Sequence, residues 1–165
     1  MLSASKTRLS YPLMFHPLSD SGKEVICDSE RLRVFSFPLK HSIPACGFLF
    51  TEKHASTVRA RKERSYAYCS DTAYSREIAG YVKGADLLYH EATFLHEMET
   101  TAHEKMHSTA LEAGMLAKEA GAVRLVIGHF SARYDDPEPL LREALTVFPD
   151  TVLAEDGKKI DICTQ

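Results

Sequence analysis

Tyr66-Ala-Tyr-Cys69, Asp86-Leu-Leu-Tyr-His90 and Arg124-Leu-Val-Ile-Gly128 are three short apolar runs separated by segments of helical character. The alternation of strand, helix, strand, helix, strand implies parallel pairing through crossover connections, because parallel neighbours cannot be joined by a tight turn. At the end of each run stands a polar residue that a buried strand has little reason to carry: Asp71, Glu91 and His129. Ligands of such sheets sit at the carboxyl ends of the strands, so these three residues converge on the expected site. His107 lies just ahead of Thr109-Ala-Leu-Glu112, where threonine and glutamate three apart form a capping box for a new helix. Its imidazole is expected at that helix entrance, beside the same sheet edge.

The length, 165 residues with 44% hydrophobic, fits a single domain (1–165) with a sizeable core. A net charge of −3 argues against broad, charge-driven nucleic-acid binding, although a local basic patch can still grip phosphates. Arg59-Ala-Arg-Lys-Glu-Arg64 is such a patch, and an ordinary solvated loop is its simpler reading. Cys27, Cys46, Cys69 and Cys163 are scattered without a C-x-x-C pair, as expected of reduced thiols. Nothing near Met1 resembles a signal peptide, and no apolar run approaches the roughly 20 residues that span a bilayer. The expectation is a soluble, cytoplasmic protein with no membrane partner.

Outward from the central stretch, Val25-Ile-Cys27, Leu32 to Phe37 and Gly47-Phe-Leu-Phe50 read as strands, with one strand ending at Lys40-His41 and Thr51 to Ser65 as a loop. Leu9 to Phe15 reads like mid-domain sequence, as if the chain had been cut into. Ser75 suits the cap of a short helix ending before Gly84, and Ala110 to Ala120 a second helix with Gly121 past its end. Ala110, Ala113, Gly114 and Ala117 give that helix a small face for close packing. Asp136-Pro137 starts a last helix with a stripe of Leu141, Ala144, Leu145 and Phe148. Thr151-Val-Leu-Ala154 and Lys159-Ile-Asp-Ile162 around Glu-Asp-Gly read as a closing hairpin.

His41, Asp71 and His129 are residue types that bind Zn²⁺. Singly, each is more often a hydrogen-bonded structural residue; convergence at one edge favours a metal centre, and an Asp between two His suits a two-metal hydrolytic site. Three ligands fall short of what two zinc ions need. Glu91 and His107 form a second candidate pair: a carboxylate bonded to an imidazole fixes its tautomer and makes it a competent general acid. His103-Glu-Lys-Met-His107 also matches H-E-x-x-H. The capping box after His107 interrupts the continuous helix a zincin would need. His16, His54, His90 and His96 read as structural or exposed.

Lys40-His41-Ser-Ile-Pro-Ala-Cys-Gly-Phe48, Ser70-Asp71-Thr72, His90-Glu91-Ala92-Thr93-Phe94, His107-Ser108-Thr109 and His129-Phe-Ser-Ala-Arg-Tyr134 together resemble the ribonuclease Z family. The resemblance implies an α/β fold, the C-terminal half of a metallo-β-lactamase αββα sandwich, with a mixed sheet and helices packed on one face. It implies zinc-dependent removal of the 3′ trailer from precursor tRNA. His41 would then ligate one Zn²⁺, His129 the other, and Asp71 both, while Glu91 and His107 would protonate the departing 3′ oxygen.

Two departures from the family pattern matter. The H-x-H-x-D-H motif, which supplies the remaining zinc ligands, is absent from residues 1–165. The connection from Thr51 to Ser65 is short where many relatives insert a tRNA-gripping arm. The chain alone is therefore expected to bind metal weakly, to cleave little, and to expose apolar sheet surface for a homodimer or a complementary N-terminal half. Two other outcomes stay open: a non-catalytic half-domain, and another phosphodiesterase of the same fold.

Overall fold

A computed structural model describes residues 10–53 and 63–162. Strands β1 (Glu24–Asp28), β2 (Leu32–Pro38), β3 (Cys46–Glu52) and β4 (Ser65–Cys69) pair antiparallel in chain order. Strands β5 (Leu87–Glu91), β6 (Arg124–Gly128) and β7 (Thr151–Leu153) extend the sheet parallel to β4. Helix α1 (Arg76–Tyr81) links β4 to β5, α2 (Glu99–Glu104) and α3 (Ala110–Ala120) link β5 to β6, and α4 (Glu138–Leu145) links β6 to β7. The result is the expected mixed sheet, seven-stranded, with the runs at Tyr66–Cys69, Asp86–His90 and Arg124–Gly128 in its parallel half.

Side chains alternate across a strand, so Ala67 and Cys69, Leu88 and His90, Leu125 and Ile127 share one face. All six are fully buried, the apolar five beneath Ile78 of α1, Ala113, Leu116 and Ala117 of α3, and Leu140 and Ala144 of α4. Each large aliphatic side chain among them contributes roughly 1.5–3 kcal/mol relative to exposure. The small face of α3 packs as expected: a Cβ added at Gly114 would stand 3.0 Å from the Ala144 carbonyl oxygen, so α4 approaches backbone to backbone. The α3 capping box is formed, with Thr109 accepting from the Glu112 amide and Glu112 accepting from the Thr109 amide, and Gly121 takes the left-handed position at the other end.

The opposite face carries aromatic side chains. Tyr68 stacks on Tyr89 with ring centroids 4.9 Å apart, and Phe50 on Tyr66 at 5.8 Å. The predicted closing hairpin is not there: Lys159–Ile162 is not a strand, and the chain turns through Glu155–Lys158. Ile160 and Ile162 instead line a hollow with Tyr66, Leu87, Tyr89 and Val126. Covering apolar surface outweighs extending a three-residue edge ladder.

Smaller differences have local causes. Helix α4 starts at Glu138 with Pro137 as its cap and Asp136 Oδ1 accepting the Glu138 amide. Of the expected stripe, Ala144 is fully buried and Leu141 and Phe148 pack partly buried against the core, while Leu140, outside that stripe, is fully buried as well. Glu143 is held on that side because it accepts the amides of His96 and Leu111. Strand β2 ends at Pro38, and the segment beyond is fastened by the Lys40 amide to Thr72 Oγ1 and the Ala73 amide to the Lys40 carbonyl. This fastening carries His41 to the edge where β4 ends. Of the basic run, positions 59–62 lie outside the described residues, as does His54, and Arg64 is paired with Glu52. No helix among the described residues is long and apolar enough to cross a membrane.

Candidate active site

The carboxyl ends of β4, β5 and β6 bring four side chains together: donor atoms of Asp71, Glu91, His107 and His129 all lie within 4.8 Å of one another. Glu91 is the last residue of β5 and is fully buried. Such a carboxylate persists only if donors surround it, and they do. The Thr72 amide reaches Oε1 at 2.5 Å, and the Thr93 hydroxyl and Ser108 amide reach Oε2 at 2.5 and 3.0 Å. His107 Nδ1 lies 2.9 and 3.1 Å from the two oxygens. With Glu91 accepting from Nδ1–H, Nε2 is the His107 nitrogen left for chemistry.

His129 follows β6 and Asp71 stands two residues beyond β4. Their contact, His129 Nε2 to Asp71 Oδ1, is 2.9 Å. Thr93 Oγ1 also lies 2.9 Å from His129 Nδ1. A threonine hydroxyl has one proton, and the short bond to Glu91 uses it, so Thr93 accepts from Nδ1–H. In the neutral ring this leaves a lone pair on Nε2 facing a carboxylate oxygen. A proton or a cation has to stand between two such acceptors.

His41 joins this group at its margin. Its ring centroid is 5.3 Å from that of His107, and its Nδ1 is 3.1 Å from the Met106 carbonyl oxygen, which leaves Nε2 free. It is not one of the four residues within 4.8 Å. The H-E-x-x-H match does not form a metal-binding face with His107: His103 turns to Glu112, Nε2 to Oε1 2.6 Å, and with Glu99 forms a separate group.

Several site residues carried no assigned role in the sequence reading. Thr72, Thr93 and Ser108 clamp Glu91, and the quoted motifs around Asp71, Glu91 and His107 were their only signal. Asp71, Met106 and His129 have φ of 60, 58 and 58°, the non-glycine residues with left-handed backbone among those described, and all three are at the site. Backbone of this kind concentrates at functional sites. Phe94 packs near His107 with the Arg133 guanidinium 5.0 Å and the Lys105 ammonium 6.0 Å from its ring centre, so two cations border the cleft. His90 points the other way, into the core; burial pushes its imidazole below the ordinary value, and its Nδ1 bonds the Glu91 carbonyl at 2.7 Å.

Over residues 4–130 the sequence matches the beta-lactamase superfamily domain. It is 38% identical to the ribonuclease Z of Cytophaga hutchinsonii and 37% identical to that of Bacteroides thetaiotaomicron. Those alignments take in 94% and 98% of this chain but 63% and 64% of the relatives. The chain thus spans less than two thirds of their length. Among solved structures, human tRNase Z, short form, superposes with a TM-score of 0.67 at 30% identity, over 87% of this chain and 47% of that one. The Bacillus subtilis metallo-beta-lactamase fold protein YhfI gives the same TM-score at 24% identity, over 82% and 51% of the two chains, and speaks to fold alone. The mixed sheet, the polar residues at its strand ends and these likenesses agree: the chain belongs to the beta-lactamase superfamily, in its metallo-β-lactamase fold, and ribonucleases Z are its homologues.

Proposed function

We propose that this chain carries the general-acid pair and part of the two-metal site of a zinc-dependent endoribonuclease that cleaves the 3′ trailer from precursor tRNA. The observation that carries the reading is the buried Glu91 bonded to His107 within reach of Asp71 and His129. A metal centre alone has no use for a carboxylate whose oxygens are spent on four protein donors. A poor alkoxide leaving group does need a proton from a fixed imidazole. The family likeness points the same way: the relatives named above are ribonucleases Z, and tRNA is the substrate class that follows.

The residues fit zinc in part. His129 and Asp71 offer facing lone pairs, and His41 has a free Nε2 at the margin, all of them ordinary zinc donors. Two ions need more donors, and H-x-H-x-D-H is absent from these 165 residues. Bound zinc would supply Lewis-acid stabilisation of charge on the phosphate oxygens. The chain's own residues do the rest. Glu91 holds the His107 tautomer, His107 Nε2 carries a proton to the leaving 3′ oxygen, and Arg133 and Lys105 border the path of a polyanion.

The reading takes the remaining donors from H-x-H-x-D-H in a complementary N-terminal half, with a homodimer as the assembly, in the cytoplasm where tRNA matures. The test measures zinc content and precursor-tRNA cleavage of the purified chain, alone and with such a complement. Expected are weak metal binding and little turnover alone, and cleavage to a tRNA with a 3′-hydroxyl on complementation. Full turnover alone refutes the divided site. Complementation that restores zinc but no cleavage leaves a non-catalytic half-domain.

A further inference from the structure

We propose that His103 is a positioning residue for the His107 imidazole, acting through Glu112. Its catalytic consequence rests on the reading of His107 as general acid, while its mechanical part does not. Helix α2 closes with two bonds, the His107 amide to the Ala102 carbonyl at 2.8 Å and the Met106 amide to the His103 carbonyl at 3.1 Å. This is the Schellman arrangement, in which the residue past the helix end turns left-handed and is usually glycine. Here it is Met106, at φ 58°. A residue with a Cβ holds that conformation only where its surroundings impose it. The Met106 carbonyl is also the partner of His41 Nδ1.

Two residues past His107 the next helix opens with the Thr109–Glu112 capping box. His107 therefore sits in a three-residue connector, Met106–Ser108, between a lock on the end of α2 and a lock on the start of α3. One side chain joins the two locks. His103, in the last turn of α2, brings Nε2 to 2.6 Å from Glu112 Oε1, while Glu112 Oε2 takes the Thr109 amide at 2.9 Å. The Glu112 side chain is only 5% exposed against 48% for His103, so a buried carboxylate with one spare oxygen draws in a surface imidazole. The bridge fixes the spacing of α2 and α3, and with it the reach of His107 Nδ1 to Glu91. His103 supplies no atom to the Asp71, Glu91, His107 and His129 group; it acts only on where His107 lies. A displacement of about 1 Å is enough to spoil a proton-transfer geometry.

The test compares His103→Ala with His103→Gln, whose amide can still donate to Glu112. In the purified chain, long-range ¹H–¹⁵N spectra read the tautomer of His107, and amide exchange reads the connector. In H103A, exchange at the His107 and Ser108 amides should rise roughly tenfold, with β4, β5 and β6 amides unchanged, and the tautomer should become mixed. H103Q should stay close to the parent chain. In the complemented, zinc-loaded enzyme, H103A should lower kcat about tenfold with KM within about twofold, and H103Q should recover it. Unchanged exchange and tautomer in H103A, or H103Q no better than H103A, would overturn the proposal. A parent enzyme without activity counts against the ribonuclease reading alone, because the spectroscopic comparison stands without it.

Discussion

His129 Nε2 lies 2.9 Å from Asp71 Oδ1 although the strands that lead to them, β6 and β4, are not neighbours. With β5 between them the strand ends are about 10 Å apart. Left-handed backbone at both residues, φ 58 and 60°, turns the two side chains toward each other over Glu91. Asp71 and His129 thus form a pair only because each strand ends in a conformation that alanine-like residues avoid.

That contact predicts where metal goes first. Asp71→Ala or His129→Ala removes one of two facing donors, and loss of a mere outer partner already lowers metal affinity 10–100-fold, so each should weaken zinc binding by on the order of 10²-fold or more. Competition against a chromophoric chelator at pH 7 measures it. Affinity equal to the parent chain in both variants removes this pair from the metal site.

Glu91 and His107, proposed above as one proton-carrying unit, should separate by stability. Glu91→Ala strands the Thr72 and Ser108 amides and the His107 ring without their acceptor, while the Thr93 hydroxyl keeps the His129 carbonyl oxygen within reach at 3.0 Å. Buried donors left unpaired cost about 1–3 kcal/mol each, so a loss of about 3 kcal/mol or more is expected, against about 1 kcal/mol for the partly exposed His107→Ala. Urea unfolding gives both values. In the complemented enzyme each variant should cut the rate by ~10² or more. Activity retained in both would leave another phosphodiesterase of the same fold as the better reading.

His90 gives the fold a pH dependence of its own. Burial holds its imidazole below its ordinary 6.5, with the bond to the Glu91 carbonyl opposing only part of the shift. A group whose folded value is depressed resists protonation in the folded chain and accepts it in the unfolded one. Stability is therefore unaffected above pH 6.5 and falls as pH drops below it, by at most about 1.4 kcal/mol per pH unit. Unfolding measured from pH 7.5 to 5.5 should show a shallower slope for His90→Leu than for the parent chain. Parallel slopes would mean that His90 titrates normally.

Asp71, Glu91 and His129 are legible in the sequence because strand ends in a parallel sheet are marked by a change from apolar to polar residues, and His107 because a helix capping box follows it. The α3 capping box was visible for a similar reason, since its two partners are three positions apart. What stayed hidden depends on distance in space. Left-handed backbone at Asp71, Met106 and His129 has no composition cue, and the His103–Glu112 bridge spans two helices. The closing hairpin failed because alternation at Lys159–Ile162 describes a half-buried segment whether it pairs with an edge or lies across a face. Ile160 and Ile162 found a tyrosine surface that no local pattern announces.

Thr93 ties the Glu91–His107 pair to the Asp71–His129 pair. Its hydroxyl donates to Glu91 Oε2 and accepts from His129 Nδ1, so a single oxygen sets the orientation of a carboxylate on one side and of a ring on the other. Thr93→Val keeps the shape and removes both bonds; Thr93→Ser keeps both bonds and removes a methyl group. The valine variant should weaken zinc binding 10–100-fold, as loss of an outer partner of a metal-ligating histidine does. It should also cost about 1–2 kcal/mol of stability through the donor that Glu91 loses. The serine variant should match the parent in zinc affinity. Chelator competition and urea unfolding on the two variants decide the matter: equal zinc affinity in valine and serine forms would show that His129 is oriented without Thr93.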